Sequence, residues 1–254
     1  MNRIDGFKRD VEAKRAIKVI SGIDNFDLDK VKKVVSAAEQ AGASAVDVAC
    51  SEEIVKVAKE ITSLPVFVSS VDPQELAQAV EWGADAIEIG NFDALYKKGV
   101  RMSAEDIYSI AQRTFELLNG KKVYVSATVP GHIEVDKQIW LASELEKMGV
   151  DIIQTEGAAM ITSAQIVGAK GLIELAQQSI ANTIEISRNV SIPVMTASGL
   201  TTTTAPMAFA AGASAIGVGS CINKLNTTIE MVAVIRTLVE QCSVREMNRE
   251  AVHA

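Results

Sequence analysis

The sequence predicts an α/β fold, a (β/α)8 TIM barrel with a short N-terminal helix that closes the bottom. Its length of 254 residues is usual for such a barrel. Eight short runs rich in Val and Ile alternate with amphipathic segments, and a repeat recurs at every second run. Strict β-α alternation leaves an open doubly wound sheet or a closed barrel, and eight units favour closure. We expect one domain, 1–254, with the helix at 1–15, the barrel at 16–240 and a polar tail at 241–254.

The eight apolar runs are bounded by turn residues, a pattern that indicates strands buried on both faces. We predict strands at 16–22, 45–49, 65–70, 86–91, 122–128, 151–156, 193–199 and 215–220. Helix starts are marked between the strands. Examples are Asp72-Pro73 with Glu75, and Ser103 with Asp106.

A repeat at the second, fourth, sixth and eighth predicted strands supports closure of the barrel. Each copy has a glycine, a small or polar turn and then a strand. The copies begin at Gly42, Gly83, Gly149 and Gly212. The glycine is expected to end the preceding helix in the left-handed conformation. Because side chains alternate along a strand, one inward layer should contain Asp47, Glu88, Gln154 and Gly217.

Glycine-containing loops follow the seventh and eighth predicted strands. In many barrels a phosphate lies between these two loops and is held by backbone N–H groups. Glycine lets the backbone approach such an anion closely. We predict phosphate binding by Ser198, Gly199, Leu200, Gly219, Ser220 and Cys221. The alternative is that these small residues only let the strand ends pack together.

Three charged side chains, Lys18, Asp47 and Glu88, are predicted to point into the barrel. A lysine in an apolar interior has a lowered pKa and can form an imine or act as a base. A carboxyl group close to another has a raised pKa, which suits acid–base catalysis. Lys18 should reach Asp47 or Glu88, because strand 1 lies beside strand 2. The set is a candidate catalytic centre, and the alternative is a structural ion pair.

Two further candidate catalytic residues are expected at the mouth of the barrel. His132 follows the fifth predicted strand, where an imidazole is well placed to carry protons. Glu156 ends the sixth predicted strand. The alternative for His132 is a solvated loop position. The connections 91–102 and 157–171 are long for βα loops, which is typical of lids or of surface excursions.

Composition argues against several classes of partner. The formal net charge is −7 and the 25 basic residues form no concentrated patch, so no nucleic acid is expected. No apolar run approaches the roughly 18 residues of a membrane span, and the N-terminus lacks the apolar segment of a signal peptide. The three cysteines have no metal-binding spacing and indicate a reducing, cytoplasmic compartment. We predict no metal site and no cofactor.

Several segments resemble known families. SGL after one strand and GASAIGVGSCIN after the next resemble the phosphate-binding barrel superfamily, which includes the tryptophan, thiamin and histidine biosynthesis barrels. GADAIEIGNFD is similar to the strand of the tryptophan synthase α-subunit that carries an inward glutamate, here Glu88.

Nearly the whole chain, with KVISGIDNFD, QTEG and IPVMTASGLTTTTAPMAFAAGASAIGVGS, resembles an uncharacterised barrel family. That family is encoded in cyanobacterial genomes and, as a hypothetical chloroplast open reading frame, in algal plastids. The resemblance implies a barrel fold and a cyanobacterial cytoplasm or a plastid stroma.

Two functions fit these features. The first is an enzyme that acts on a small phosphorylated metabolite by lyase, synthase or isomerase chemistry, with the reaction class suggested by fold analogy. The second is a non-catalytic barrel that senses such a metabolite or serves as a regulatory or assembly partner. An enzyme should have an open mouth with ionisable groups facing the anion site, whereas a partner protein should have a filled mouth and an apolar outer patch. The expected partner is a small phosphorylated molecule, and a homo-oligomer is left open.

Overall fold

Eight parallel strands close into a barrel in the order in which they follow along the chain. The computed structural model describes residues 2–96, 98–157 and 168–253, and these strands lie within those ranges. They are β1 Ala16–Ile20, β2 Ala45–Ala49, β3 Val66–Ser70, β4 Ala86–Ile89, β5 Tyr124–Val129, β6 Ile152–Thr155, β7 Val194–Thr196 and β8 Ala215–Val218. Pairing of β8 with β1 completes the ring. The predicted (β/α)8 fold class is confirmed.

Helices alternate with the strands. In the described ranges they are α1 Ile4–Glu12, α2 Leu28–Ala41, α3 Glu52–Ile61, α4 Pro73–Glu81, α5 Asp93–Tyr96, α6 Ala104–Leu118, α7 Val135–Met148, α8 Gly168–Ser187, α9 Ala205–Ala210, α10 Ser220–Asn223 and α11 Thr228–His253. Helix α11 packs against α2, so the outer layer of helices also closes. None of the helices in this part of the chain combines the length and hydropathy that a transmembrane span requires.

The predicted helix boundaries are formed by the expected capping residues. The Asp72 carboxylate accepts hydrogen bonds from the first backbone N–H groups of α4, and Ser103 and Asp106 form a reciprocal capping box at α6. Helix α2 ends at Gly42 with φ +78°, and α7 ends at Gly149 with φ +102°. These left-handed glycines turn the chain into the strands that follow.

Aromatic side chains fill the bottom of the barrel. Phe7 of α1 is fully buried, and its ring centroid lies 5.1 Å from that of Phe67 and 5.8 Å from that of Tyr124, both edge to face. Each such pair stabilises by about 0.5–1.5 kcal/mol beyond the area it buries. Ile4 and Val11 lie on the same face of α1 and join this cluster. The N-terminal helix therefore closes the bottom, as predicted.

Five strands, β1, β4, β6, β7 and β8, end earlier than predicted at the mouth, and the last two bear on the site. The strand predicted at 193–199 ends at Thr196, because Ser198 and Gly199 have left-handed φ angles of 72° and 74°. The strand predicted at 215–220 ends at Val218, because Ser220 begins α10. Both loops consequently turn across the mouth of the barrel.

The structure describes one of the two long connections, which were predicted to be lids or surface excursions, but only part of the other. The connection 91–102 contains the short helix α5, which brings Tyr96 to the mouth. Most of the connection 157–171, namely residues 158–167, lies outside the described residues.

Candidate active site

A buried ion cluster lies above the aromatic bottom layer. The Lys18 Nζ atom lies 2.7 Å from Glu88 Oε2 and 3.1 Å from Asp47 Oδ2, and all three side chains are fully buried. Ser69 donates to Asp47 Oδ1 over 2.5 Å, and Thr128 donates to Glu88 Oε1 over 2.6 Å. The sequence predicted contact of Lys18 with Asp47 or Glu88, and the structure shows both contacts. The charges of this cluster are balanced by one another inside the protein rather than by solvent.

The pKa of Lys18 in this cluster differs from the sequence-based prediction. Burial by itself would lower the pKa of Lys18, but the attraction of Glu88 and Asp47 outweighs burial and raises that pKa. Lys18 therefore carries its proton at neutral pH, and the expected lowered pKa is wrong. Burial raises the pKa of Asp47, and the nearby Glu88 charge adds to the rise. An ammonium held by two carboxylates is a poor imine-forming nucleophile.

A cavity of about 250 Å³ opens at the mouth above this cluster. One wall consists of the loops after β7 and β8, with Ser198, Gly199, Leu200, Gly219 and Ser220. The cavity is also lined by Glu156, Asn91, Gln154 and Gly217. The fully buried Lys18, Asp47 and Glu88 are not among the lining residues. The mouth is therefore open, and the ion cluster lies beneath it.

The loop after β7 lines the cavity and has free backbone donors. Among the described residues, the N–H groups of Gly199 and Leu200 meet no hydrogen-bond acceptor. Gly199 lies against α8, and a Cβ built there would be 2.3 Å from the carbonyl oxygen of Leu175. Only glycine fits this left-handed position. Cys221 differs from the other predicted phosphate ligands because it does not line the cavity; its side chain, like that of Leu200, packs in the outer core.

Glu156, which lines the cavity, belongs to a chain of proton-carrying side chains. The Tyr96 hydroxyl donates to Glu156 Oε2 over 2.8 Å and lies 3.0 Å from His132 Nδ1. The imidazole also packs edge to face on the Tyr96 ring, and Arg101 lies over that ring at 5.3 Å. Glu156 is 3% exposed. Glu156 and His132, which were predicted as separate candidates, are therefore connected through Tyr96 of the long connection 91–102.

His132 is expected to titrate below its ordinary pKa near 6.5. Partial burial lowers this pKa, and the positive charge of Arg101 lowers it further. The neutral imidazole therefore stabilises the fold above the unfolded pKa, and this contribution is lost as the pH falls through the folded pKa. NMR titration of the two histidines, with His253→Gln to assign the signals, measures the shift. Arg101→Gln should raise the His132 midpoint, and an unchanged midpoint would contradict this account.

Asn91 contributes to the site although sequence reasoning placed no function on it. Its φ angle is +73°, a left-handed conformation that asparagine tolerates, and it follows Gly90 directly. A Cβ at Gly90 would lie 2.5 Å from that of Thr128. This tight turn points the Asn91 amide back into the barrel, where it donates to Asp47 and Ser69. An Asn after Gly at a strand end was the only signal available.

The donor set of the site suits an anion better than a metal ion. Within the described ranges, no three His, Cys, Asp or Glu side chains are grouped so that they could hold a metal ion. The cavity instead combines free N–H groups with the Ser198 and Ser220 side chains. Hydroxyl and N–H donors of this kind bind phosphate oxygens.

Solved structures support the fold. A (S)-3-O-geranylgeranylglyceryl phosphate synthase from Thermoplasma acidophilum, in complex with its substrate sn-glycerol-1-phosphate, has a TM-score of 0.63 at 16% identity and covers 95% of this chain and 98% of that one. A 3-hexulose-6-phosphate synthase has a TM-score of 0.62 at 14% identity and covers 89% and 98%. At such low identity these similarities show the barrel fold.

Sequence relatives show the family. A family described as "Protein of unknown function (DUF561)" matches residues 2–248. The "Uncharacterized protein ycf23" of Cyanophora paradoxa is 39% identical over 238 residues, which is 93% of this chain and 95% of that protein. The ycf23 protein of Pyropia yezoensis is 36% identical over 226 residues, 89% and 82% of the two chains. The predicted resemblance to an uncharacterised barrel family of cyanobacteria and algal plastids is confirmed, and the chain belongs to the DUF561 family.

Proposed function

We propose that this protein is an enzyme that binds a small phosphorylated metabolite and changes it by acid–base chemistry of the lyase, synthase or isomerase type. The observation that carries the proposal is the mouth cavity, which is lined both by the β7 and β8 loops and by Glu156. An anion held on one wall would place the rest of the molecule next to a carboxylate. Two structural neighbours are named for phosphorylated compounds, which supports the choice of ligand.

In this proposal Glu156 is the group that removes a proton from the bound molecule or returns one. A general base must lie within hydrogen-bond reach of the proton that it takes. Tyr96 donates to Glu156 and is itself next to His132, so the three residues form a path along which a proton can move. Lys18, Asp47 and Glu88 are assigned a positioning role, since they support the floor of the cavity from below.

A charge placed at the β8 loop tests phosphate binding. Gly219 has a φ of −129°, which other residues adopt, and it lines the cavity. Gly219→Asp should weaken inorganic phosphate binding by more than about 100-fold, because two like charges about 4 Å apart repel by roughly 4 kcal/mol near a protein surface. Calorimetric titration measures this affinity. Gly219→Asn has the same shape without the charge, so equal affinity in both variants would place the anion elsewhere.

Catalysis requires a second experiment. Mass spectrometry of metabolites retained on protein purified from its native cells should identify a phosphorylated compound. Fresh wild-type protein should convert that compound, whereas Glu156→Gln should bind it without conversion. A retained compound that both proteins leave unchanged would instead indicate a non-catalytic sensor.

A further inference from the structure

A row of hydrogen bonds crosses the barrel between the ion cluster and the mouth cavity. Glu88, paired with Lys18, accepts a hydrogen bond from the Thr128 hydroxyl over 2.6 Å. The Thr128 oxygen in turn lies 2.9 Å from the Gln154 amide nitrogen. Gln154 is 1% exposed and lines the cavity from its floor.

This row determines which way the Gln154 amide points. A carboxylate in an ion pair can only accept hydrogen bonds, so the single Thr128 proton is used by Glu88. The Thr128 oxygen can therefore only accept from Gln154, which requires the Nε2 group on that side. The Gln154 Oε1 atom must then lie on the other side of the amide.

The neighbouring amide is oriented by the same reasoning. Ser69 donates its only proton to Asp47 Oδ1 over 2.5 Å, so it accepts from Asn91 Nδ2 at 3.0 Å. The same Nδ2 group donates to Asp47 Oδ2, also at 3.0 Å. The Asn91 oxygen faces Gln154 Nε2 at 3.4 Å. The hydrogen-bond donors of both floor amides are thus directed at protein acceptors.

One acceptor in the floor remains unused. Among the described residues, Gln154 Oε1 and Ser126 Oγ are the buried side-chain atoms without a hydrogen-bond partner. The Oε1 atom lies over Gly217, where a Cβ would come within 3.2 Å of it. A Cβ at Gly217 would also lie 3.0 Å from Ala197 Cβ and Ile20 Cδ1, so only glycine keeps a side chain away from this oxygen. Gln154 and Gly217 both line the cavity, and because buried polar groups are normally paired, an unpaired acceptor in the cavity floor points to a ligand donor.

We propose that the mouth cavity selects a phosphate monoester with a hydroxyl or amino group that donates a hydrogen bond to Gln154 Oε1. The inference rests on the proposed phosphate site and adds the second recognition element of the same ligand. The anionic end lies at the β7 and β8 loops, and the donor end lies at the floor. A ligand carbonyl or carboxylate at the floor would face an acceptor and be disfavoured, whereas a hydroxyl would satisfy it.

Two esters of equal length test this selection. sn-Glycerol 1-phosphate carries hydroxyl groups, and propyl phosphate has the same carbon chain without them. The wild-type protein should bind the first at least about tenfold more tightly, because an apolar group over Oε1 would leave a buried acceptor unpaired. Gln154→Met keeps the side-chain length and should abolish the preference, while inorganic phosphate should bind within about twofold of its wild-type affinity.

Ser126→Ala provides the matched control. In the described part of the chain Ser126 Oγ is the other unpaired buried side-chain atom, but Ser126 does not line the cavity, so this variant should keep the wild-type preference. Equal binding of the two esters by the wild-type protein overturns the inference, whether or not Gln154→Met folds. A preference that persists in folded Gln154→Met also overturns it. Failure of inorganic phosphate to bind would overturn the proposed function as well, which separates the two failures.

Discussion

Lys18→Met is expected to lower the free energy of unfolding by about 3–5 kcal/mol at neutral pH. The substitution removes the only cation of the buried cluster and leaves Asp47 and Glu88 facing each other without solvent. Breaking one partner of a buried ion pair leaves an uncompensated charge, which is much less favourable than losing the pair as a whole. Urea unfolding followed by circular dichroism measures the change.

A double variant separates charge from packing. Lys18→Met with Glu88→Gln removes one charge of each sign and largely preserves volume, so it should recover part of the stability that the single variant loses. Lys147→Met serves as the surface control, since Lys147 pairs with Glu144 in solvent over 2.7 Å. Its loss should hardly change stability. If Lys18→Met were as stable as Lys147→Met, the buried carboxylates would not depend on the Lys18 charge for stability.

The Lys18→Met defect should also depend on pH. Burial raises the pKa of Asp47 even with Lys18 present, and loss of the cation raises it further. A carboxyl group with a raised folded pKa binds its proton more readily in the folded state, so its contribution falls as pH rises above the unfolded value. The variant should therefore regain stability relative to wild type as pH is lowered from 7 towards about 5. A constant difference across this window would contradict the role of Asp47.

Much of the fold can be predicted because it depends on local rules. The repeat starting at Gly42 and Gly149 marks helix ends, and both glycines are left-handed in the structure. The alternation of side chains along β2 and β4 correctly predicted that Asp47 and Glu88 point inward, because each side chain of a strand lies on one of only two faces. Lys18 could be paired with Asp47 because consecutive parallel strands are neighbours.

The site could be predicted only in part, because it depends on contacts between distant segments. Glu156 and His132 were identified from their places at strand ends, but Tyr96, which links them, comes from a helix inside a long connection. The predicted direction of the Lys18 pKa shift was wrong. That pKa depends on two carboxylates within about 3 Å, whereas the prediction considered burial first. The importance of Asn91 depends on a left-handed turn that sequence patterns do not specify.

Gly199→Ala is expected to lower stability by about 2–4 kcal/mol and to weaken phosphate binding. Its φ of +74° already disfavours a side chain, and a Cβ would lie 2.3 Å from the Leu175 carbonyl oxygen and 2.8 Å from its carbon. These are backbone atoms of α8, so they cannot rotate away as a flexible side chain could. Either α8 or the β7 loop must shift, and a shift of the loop moves the free N–H groups of Gly199 and Leu200 that line the cavity.

Gly42→Ala separates this clash from backbone strain. Gly42 has a φ of +78°, close to that of Gly199, but nothing lies within 4 Å of its Cβ position. Gly42→Ala should lower the free energy of unfolding by only about 1 kcal/mol, and the variant should keep its full affinity for inorganic phosphate. Urea unfolding and calorimetric titration of both variants give the comparison. Because conformational strain is matched, any excess loss in Gly199→Ala reports the contact with α8. Equal losses of stability together with unchanged phosphate affinity would show that the β7 loop does not hold the anion in this geometry.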